Sequence, residues 1–219
     1  SLCWQLLFLK IYKKSVYKLY KTIFMISKKG KFIVIYGINN LGKTAQAKLL
    51  TERLIKEGCT AEYLKFARYE ISPSGMLLEE YLRKGNPYNL LAREFQIIQT
   101  LNKTQFEPVL QQKLDSGINI VAEDYIGTGF AWGTGADIDE KFLEFINSHL
   151  LREDLAILLD GERFKEAIEK NHTHEENELL TQKVRQKHLE LAKKYNWSII
   201  NANQDVSTIH DLIWQKVKT

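Results

Sequence analysis

The stretch Gly37-Ile38-Asn39-Asn40-Leu41-Gly42-Lys43-Thr44 constrains the fold of this chain more than any other. It fits G-x-x-x-x-G-K-[ST], follows the apolar run Phe32 to Tyr36 and precedes a helical pattern from Ala45 to Lys56. A phosphate-binding loop needs that strand–loop–helix setting, because the loop must curl so that backbone N–H groups point inward at the positive end of a helix. Lys43 would reach the β- and γ-phosphates of a nucleoside triphosphate and the Thr44 hydroxyl would meet Mg²⁺. The loop residues Gly37, Asn39, Asn40, Leu41, Gly42, Lys43 and Thr44 are thus the expected nucleotide-binding set.

The rest of the chain alternates strand and helix signals, which predicts an α/β protein with a mainly parallel sheet. Strands are expected at Ala61 to Phe66, Ile118 to Ala122, Leu155 to Leu159 and Trp197 to Ile200. Helices are expected at Met76 to Lys84, Asn89 to Asp115, Asp137 to Leu150, Phe164 to Lys170, Glu178 to Tyr195 and Val206 to Val217. A kink near Pro108 is anticipated. Gly127, Gly129, Gly133 and Gly135 read as a flexible stretch. Asn171 to Asn177 reads as a polar lid, within about 171–178. The fold class is a three-layer P-loop NTPase fold, a mainly parallel five-stranded sheet flanked by helices. Ligands in such sheets sit at the carboxyl ends of strands, so Gly37–Thr44, Phe66–Tyr69 and Glu123–Tyr125 should converge.

The net charge of +4 conceals an asymmetry. Residues 1–29 hold seven lysines and no acidic residue, leaving 24 basic and 27 acidic side chains elsewhere. The body therefore does not carry the charge of a nucleic-acid binder. The apolar run Leu6 to Leu9 is too short to span a bilayer, so no stable membrane insertion is expected. Residues 1–24 are read as an extension outside the fold, with Met25 as the natural start and 25–219 as one domain. The two cysteines, Cys3 and Cys59, have no metal-ligand spacing and suit a reducing cytosol. His172-Thr173-His174, among acidic and polar neighbours, reads as a solvated loop and not a metal site.

Several segments in order resemble the thymidylate kinase family of nucleoside monophosphate kinases, from about Phe32 to Val217. Besides the loop and Gln46, these are Phe66 with Arg68 and then Gly75 to Leu82, similar to F-P-x-R…I-G…Y-L. Asn102-Lys103, Pro108, Leu114, Gly117 and Glu123-Asp124-Tyr125 are similar to N-R…P…L…G…D-R-Y. Thr128 to Trp132 continues that block, and Lys183-Val184-Arg185 with Leu189 to Ala192 matches a later helix.

The resemblance implies transfer of the ATP γ-phosphoryl to dTMP with Mg²⁺, giving dTDP. An anionic phosphate acceptor needs no general base, so catalysis rests on positioning and charge neutralisation. Lys43, Glu123 and, as the basic residue nearest the lid chosen to serve it, Lys170 are taken as catalytic, with Thr44 and Glu123 at Mg²⁺. Phe66, Arg68, Gln99, Asn102, Lys103, Asp124 and Tyr125 are implied for the acceptor.

This chain departs from the pattern at four places. Asp124 replaces an arginine; at about 6 Å and an effective dielectric near 20, one unit charge is worth roughly 3 kcal/mol, and reversing its sign about twice that. Asp124 either faces the phosphates, offset by Mg²⁺ or a base, or rotates toward the surface. Lys103 replaces an arginine and loses its bidentate fork. Gln99 stands where a base-stacking Phe is expected, leaving Phe95 and Phe66 as stacking candidates. Finally, Asn40-Leu41 puts no basic residue in the loop, and the lid has no arginine. These departures leave two alternatives open: a kinase of another nucleotide or a deoxynucleoside, and a nucleotide-binding module without phosphoryl transfer. The partners expected are small-molecule nucleotides and not nucleic acid. The family's dimer packs mid-chain helices, so a homodimer is also open.

Overall fold

The computed structural model describes residues 29–163 and 178–218. The expected extension at 1–24, the start at Met25, the helix 164–170 with Lys170, the His172–His174 stretch and the lid up to residue 177 lie outside the described residues.

Five strands form one sheet: β1 (Phe32–Tyr36), β2 (Ala61–Lys65), β3 (Asn119–Glu123), β4 (Leu155–Asp160) and β5 (Ser198–Asn201). Every pairing is parallel and the spatial order is β2-β3-β1-β4-β5. The chain runs β1 to β2 to β3 on one side and then crosses to β4 and β5 on the other. The order therefore reverses beside β1, and a crevice opens at the carboxyl ends of the strands there.

Strand β1 is central, and all five of its residues are fully buried. Its sequence, Phe-Ile-Val-Ile-Tyr, is the uninterrupted apolar run that a strand covered on both faces requires. Ile33 and Ile35 pack with Val121, Ile157 and Leu159 under α1 (Lys43–Lys56) and α7 (Val206–Lys218). Phe32, Val34 and Tyr36 join Ile120, Ala122 and Leu158 against the other layer. There α3 (Ala92–Asp115) contributes Phe106, Leu110 and Leu114. The three-layer expectation is met, and α3 runs through Pro108 as a single 24-residue helix.

The remaining helices are α2 (Ser74–Arg83), α4 (Ile126–Gly135), α5 (Glu140–Asn147) and α6 (Glu178–Lys194). The expected helix from Asp137 to Leu150 shortens to α5, whose start is capped by the Asp139 carboxylate accepting from Phe142 N–H at 2.8 Å.

The flexible stretch expected at Gly127–Gly135 is corrected to helix α4, which is largely buried. Its glycines mark places where other elements press close. A Cβ on Gly127 would lie 2.4 Å from the Trp197 ring, one on Gly133 2.8 Å from Leu143, and one on Gly135 2.9 Å from Val184. Absence of side chains thus lets α4 nest against α5 and α6, and the helix is a wall and not a hinge.

Gly127→Ala tests this. The Trp197 ring is stacked on Tyr36 at 4.3 Å and has little room to retreat. Overpacking of this kind costs about 1–3 kcal/mol, against a helix-propensity gain of at most about 1 kcal/mol. The urea midpoint should fall; an unchanged or higher midpoint would show that the ring yields freely.

Candidate active site

The loop between β1 and α1 turns through residues that a side-chain-bearing chain tolerates poorly. Gly37 has φ 141° and Gly42 φ 79°, while Asn40 takes φ 63°. Besides its dihedral, Gly37 has no space for a Cβ, which would stand 2.5 Å from the Leu159 carbonyl oxygen. Gly42 hands the chain to α1, so the positive end of that helix begins at Lys43. Gln46 ties α1 to its neighbour α7 by donating to the Val206 carbonyl at 2.9 Å.

Lys43 is 5% exposed, and its ammonium donates to the carbonyl oxygens of Gly37 and Ile38, both at 2.9 Å. Its third neighbour is Asp124 Oδ1 at 3.8 Å. The loop therefore holds its own lysine while also presenting Asn39, Asn40, Gly42 and Thr44 to a cavity of about 450 Å³. Leu41 is buried and shapes the loop from behind.

Beside the loop, β3 ends at Glu123, only 4% exposed. Its Oε2 accepts from Thr44 Oγ1 at 2.6 Å and from Tyr63 OH at 2.9 Å. Its Oε1 pairs with Lys65 Nζ at 3.0 Å. Burial alone would raise the Glu123 pKa, but Lys43, Lys65 and the Thr44 hydroxyl outweigh it and hold the carboxyl below its ordinary range. The same carboxylate raises the Tyr63 phenol, after burial as the larger cause. Tyr63 and Lys65 were not among the residues expected from the sequence, yet both contact this carboxylate. The register shows why they belong: Lys65 pairs with Glu123 across β2 and β3.

Asp124 resolves one open alternative. It faces the cavity, with φ 61°, and does not turn to the surface. Its Oδ1 accepts from Thr128 Oγ1 at 2.7 Å. Burial raises its pKa against the pull of Lys43, and Glu123 next door adds to the rise.

Opposite stands Lys103, 5% exposed, donating to the Gln99 carbonyl at 3.2 Å and to Gln99 Oε1 at 3.4 Å. Burial pushes its pKa down to about 7, although Asp124 opposes the fall. Phe66, Gln99, Lys103, Asp124 and Tyr125 line the cavity together with the loop, so both halves of the expected site share one space.

Other expected residues are placed differently. Asn102 reaches the cavity wall, but its amide is occupied: Oδ1 accepts from Arg68 N–H at 2.8 Å, and Nδ2 donates to the Arg68 carbonyl and Ser74 Oγ, both at 2.9 Å. It pins the segment after β2. The Arg68 guanidinium lies 4.9 Å from the centre of the Phe106 ring and pairs with Glu70 at 2.5 Å, so it is not part of the cavity lining. Phe95 is 2% exposed and stacked on Tyr81 at 3.9 Å, which removes it as a base-stacking candidate. Phe66 packs on Phe106 and Tyr125 and shows the cavity only part of its ring. Tyr69 also lines the cavity, at the end of the Phe66–Tyr69 segment expected to converge there, and so does Trp132, which was not expected.

Comparison with known proteins agrees with this geometry. The thymidylate kinase family model matches residues 35–213. The chain is 28% identical over 192 residues to a thymidylate kinase of Danio rerio, covering 85% of this chain and 89% of that one. It is 27% identical to a probable thymidylate kinase of Methanocaldococcus jannaschii, covering 83% and 93%. The solved thymidylate kinase of Candida albicans shares the fold, with a TM-score of 0.75 at 20% identity, over 87% of this chain and 92% of that one. With its phosphate loop, its strand-end carboxylate and a family match spanning most of its length, this chain belongs to the thymidylate kinase family.

Proposed function

We propose that this protein transfers the γ-phosphoryl group of ATP to dTMP, releasing dTDP and ADP. The Thr44–Glu123 hydrogen bond at 2.6 Å carries the reading. It sets the loop hydroxyl and the β3 carboxylate side by side in a cavity that also holds the acceptor candidates Gln99 and Lys103.

The donor half belongs to the loop. Its N–H groups and the start of α1 would hold the β- and γ-phosphates, and Lys43 would give up the Gly37 and Ile38 carbonyls to meet them. Mg²⁺ is expected at Thr44 and Glu123. A hydroxyl, one carboxylate and phosphate oxygens suit a small cation that usually keeps few protein ligands. Bound there, it would neutralise phosphate charge. Among the described residues no cluster of three His, Cys, Asp or Glu side chains offers a separate metal cage.

On the acceptor half, an oxygen of the dTMP phosphate forms the new bond to the γ-phosphorus. The bond to the β,γ-bridging oxygen breaks and its electron pair leaves on ADP. The acceptor is already anionic, so no side chain has to remove a proton. Lys103 is assigned to the acceptor, Tyr125 and Phe66 to its apolar wall, and Asn102 and Arg68 to holding the segment that closes it. Lys170 stays as the proposed lid cation, and residues 25–219 as one catalytic domain.

Exposed apolar side chains on α3, namely Ile97, Leu101 and Val109, support a homodimer through mid-chain helices. No described helix is long and apolar enough to cross a membrane. The exposed thiol of Cys59 is consistent with a reducing compartment such as the cytosol.

An assay of ADP release against a panel of nucleoside monophosphates decides the activity: dTMP should give the highest kcat/KM. ATP binding with no acceptor-dependent turnover would instead identify a nucleotide-binding module. Lys43→Ala should lower kcat by roughly 10²-fold or more and weaken ATP binding; wild-type turnover in that variant would mean the loop is misassigned.

The pH dependence follows from Lys103. Its ammonium is charged below about 7 and loses its proton above that, so attraction for an acceptor phosphate declines as pH rises. In the wild type kcat/KM for dTMP should fall above neutrality. Lys103→Arg, permanently charged, should remove that fall. Identical alkaline limbs in the two proteins would take Lys103 out of the acceptor site.

A further inference from the structure

Charge around the reacting phosphates is the unsolved problem of this site. Asp124 brings an anion into the cavity, the loop contributes no base beyond Lys43, and Arg68 has turned onto Phe106. Lys103 is buried, spends its ammonium on Gln99, and loses charge near neutrality. Lys43 is the loop's own cation and is committed to the donor phosphates.

Lys65 has the properties the site still lacks. It is the last residue of β2, at the carboxyl edge of the sheet, and lines the cavity. Its partner in the parallel register is Glu123, and Phe66 N–H bonds the Glu123 carbonyl at 3.0 Å, so the strand end is fixed beside β3. The ammonium meets Glu123 Oε1 at 3.0 Å, yet the side chain is 50% exposed. One of its three donors is used on that carboxylate, leaving two for an anion entering the cavity. Lys65 thus stands one strand away from Asp124, next to the carboxylate that joins the Thr44 hydroxyl.

We propose that Lys65, at the end of β2, is a catalytic cation of this enzyme, which contacts the acceptor phosphate and offsets the charge of Asp124. Without Lys65 the cavity side of Glu123 and Asp124 would present two carboxylates to an incoming dianion, with Lys103 across from them and Arg83, also in the lining, drawn onto the Tyr69 ring at 5.1 Å. With it, the phosphate approaches a carboxylate already paired and an ammonium with donors to spare. The inference rests on the kinase reading above and adds the residue that reading leaves unassigned.

Four variants test it: Lys65→Met, Lys65→Arg, Lys170→Met, and Lys65→Met combined with Asp124→Asn. Asparagine tolerates the left-handed backbone at 124 as aspartate does. Steady-state kinetics, calorimetric titration with dTMP and thermal melting are measured on each. Lys65→Met should lower kcat by about 10²–10³-fold, the range for removing one charge-stabilising donor, and weaken dTMP binding by about tenfold or more. KM for ATP should stay within about twofold, since the loop is untouched. Lys65→Arg should keep most of the activity, and Asp124→Asn should recover about tenfold in the Lys65→Met background by removing the charge that Lys65 balances.

A Lys65→Met protein with near-wild-type kcat and dTMP binding overturns the proposal. So does a slow Lys65→Met whose dTMP binding is unchanged and which Asp124→Asn does not rescue, because Lys65 would then only orient Glu123. A large loss in Lys170→Met with none in Lys65→Met would move the role to Lys170. An inactive wild type would sink the kinase reading by itself, and the dTMP titration would still decide whether Lys65 holds the acceptor.

Discussion

The Glu123 carboxylate is the constraint on which the rest of this site depends. It is almost wholly buried and carries its charge there, which is tolerable only because Thr44, Tyr63 and Lys65 each contribute a donor. Thr44 comes from α1, and Tyr63 and Lys65 both come from β2. One ionised side chain therefore ties the phosphate loop to the two strands beside it. An apolar residue at 123 would leave the lysine and two hydroxyls without the carboxylate that accepts from all three.

The second layer of organisation is α4. It leaves β3 directly after Tyr125 and holds Asp124 through Thr128, while its other side lies against Trp197 and Tyr36. The position of Asp124 is thereby linked to aromatic packing in the core. Lys103 on α3 completes the arrangement from the opposite side, and Gly129 keeps α4 close enough for Gln99 and Lys103 to sit against it. Site geometry and core packing are one problem here, since the same glycines serve both.

Much of this was legible in the sequence, and for identifiable reasons. The phosphate loop could be read because its geometry demands glycine at fixed spacing between a strand and a helix. The five strands could be read because a parallel sheet buried on both faces leaves continuous apolar runs. Gly127 to Gly135 misled because glycine signals flexibility locally but close packing when neighbours such as Trp197 and Leu143 are present. Lys65 and Tyr63 were invisible for another reason: their role comes from pairing with Glu123, nearly sixty residues away, and register is not written in either strand alone. Arg68 and Phe95 had suitable chemistry, but burial beside Phe106 and Tyr81 turned them elsewhere.

The two hydrogen bonds from Lys43 to the carbonyls of Gly37 and Ile38 bear on how the loop meets its ligand. Carbonyls of the loop itself solvate this ammonium. Docking of a triphosphate is then an exchange of oxygen for oxygen. What counts is the difference between a phosphate and a pair of peptide carbonyls, a far smaller quantity than the attraction between isolated charges. The same two carbonyls that hold the lysine are therefore the competitors any bound phosphate must match.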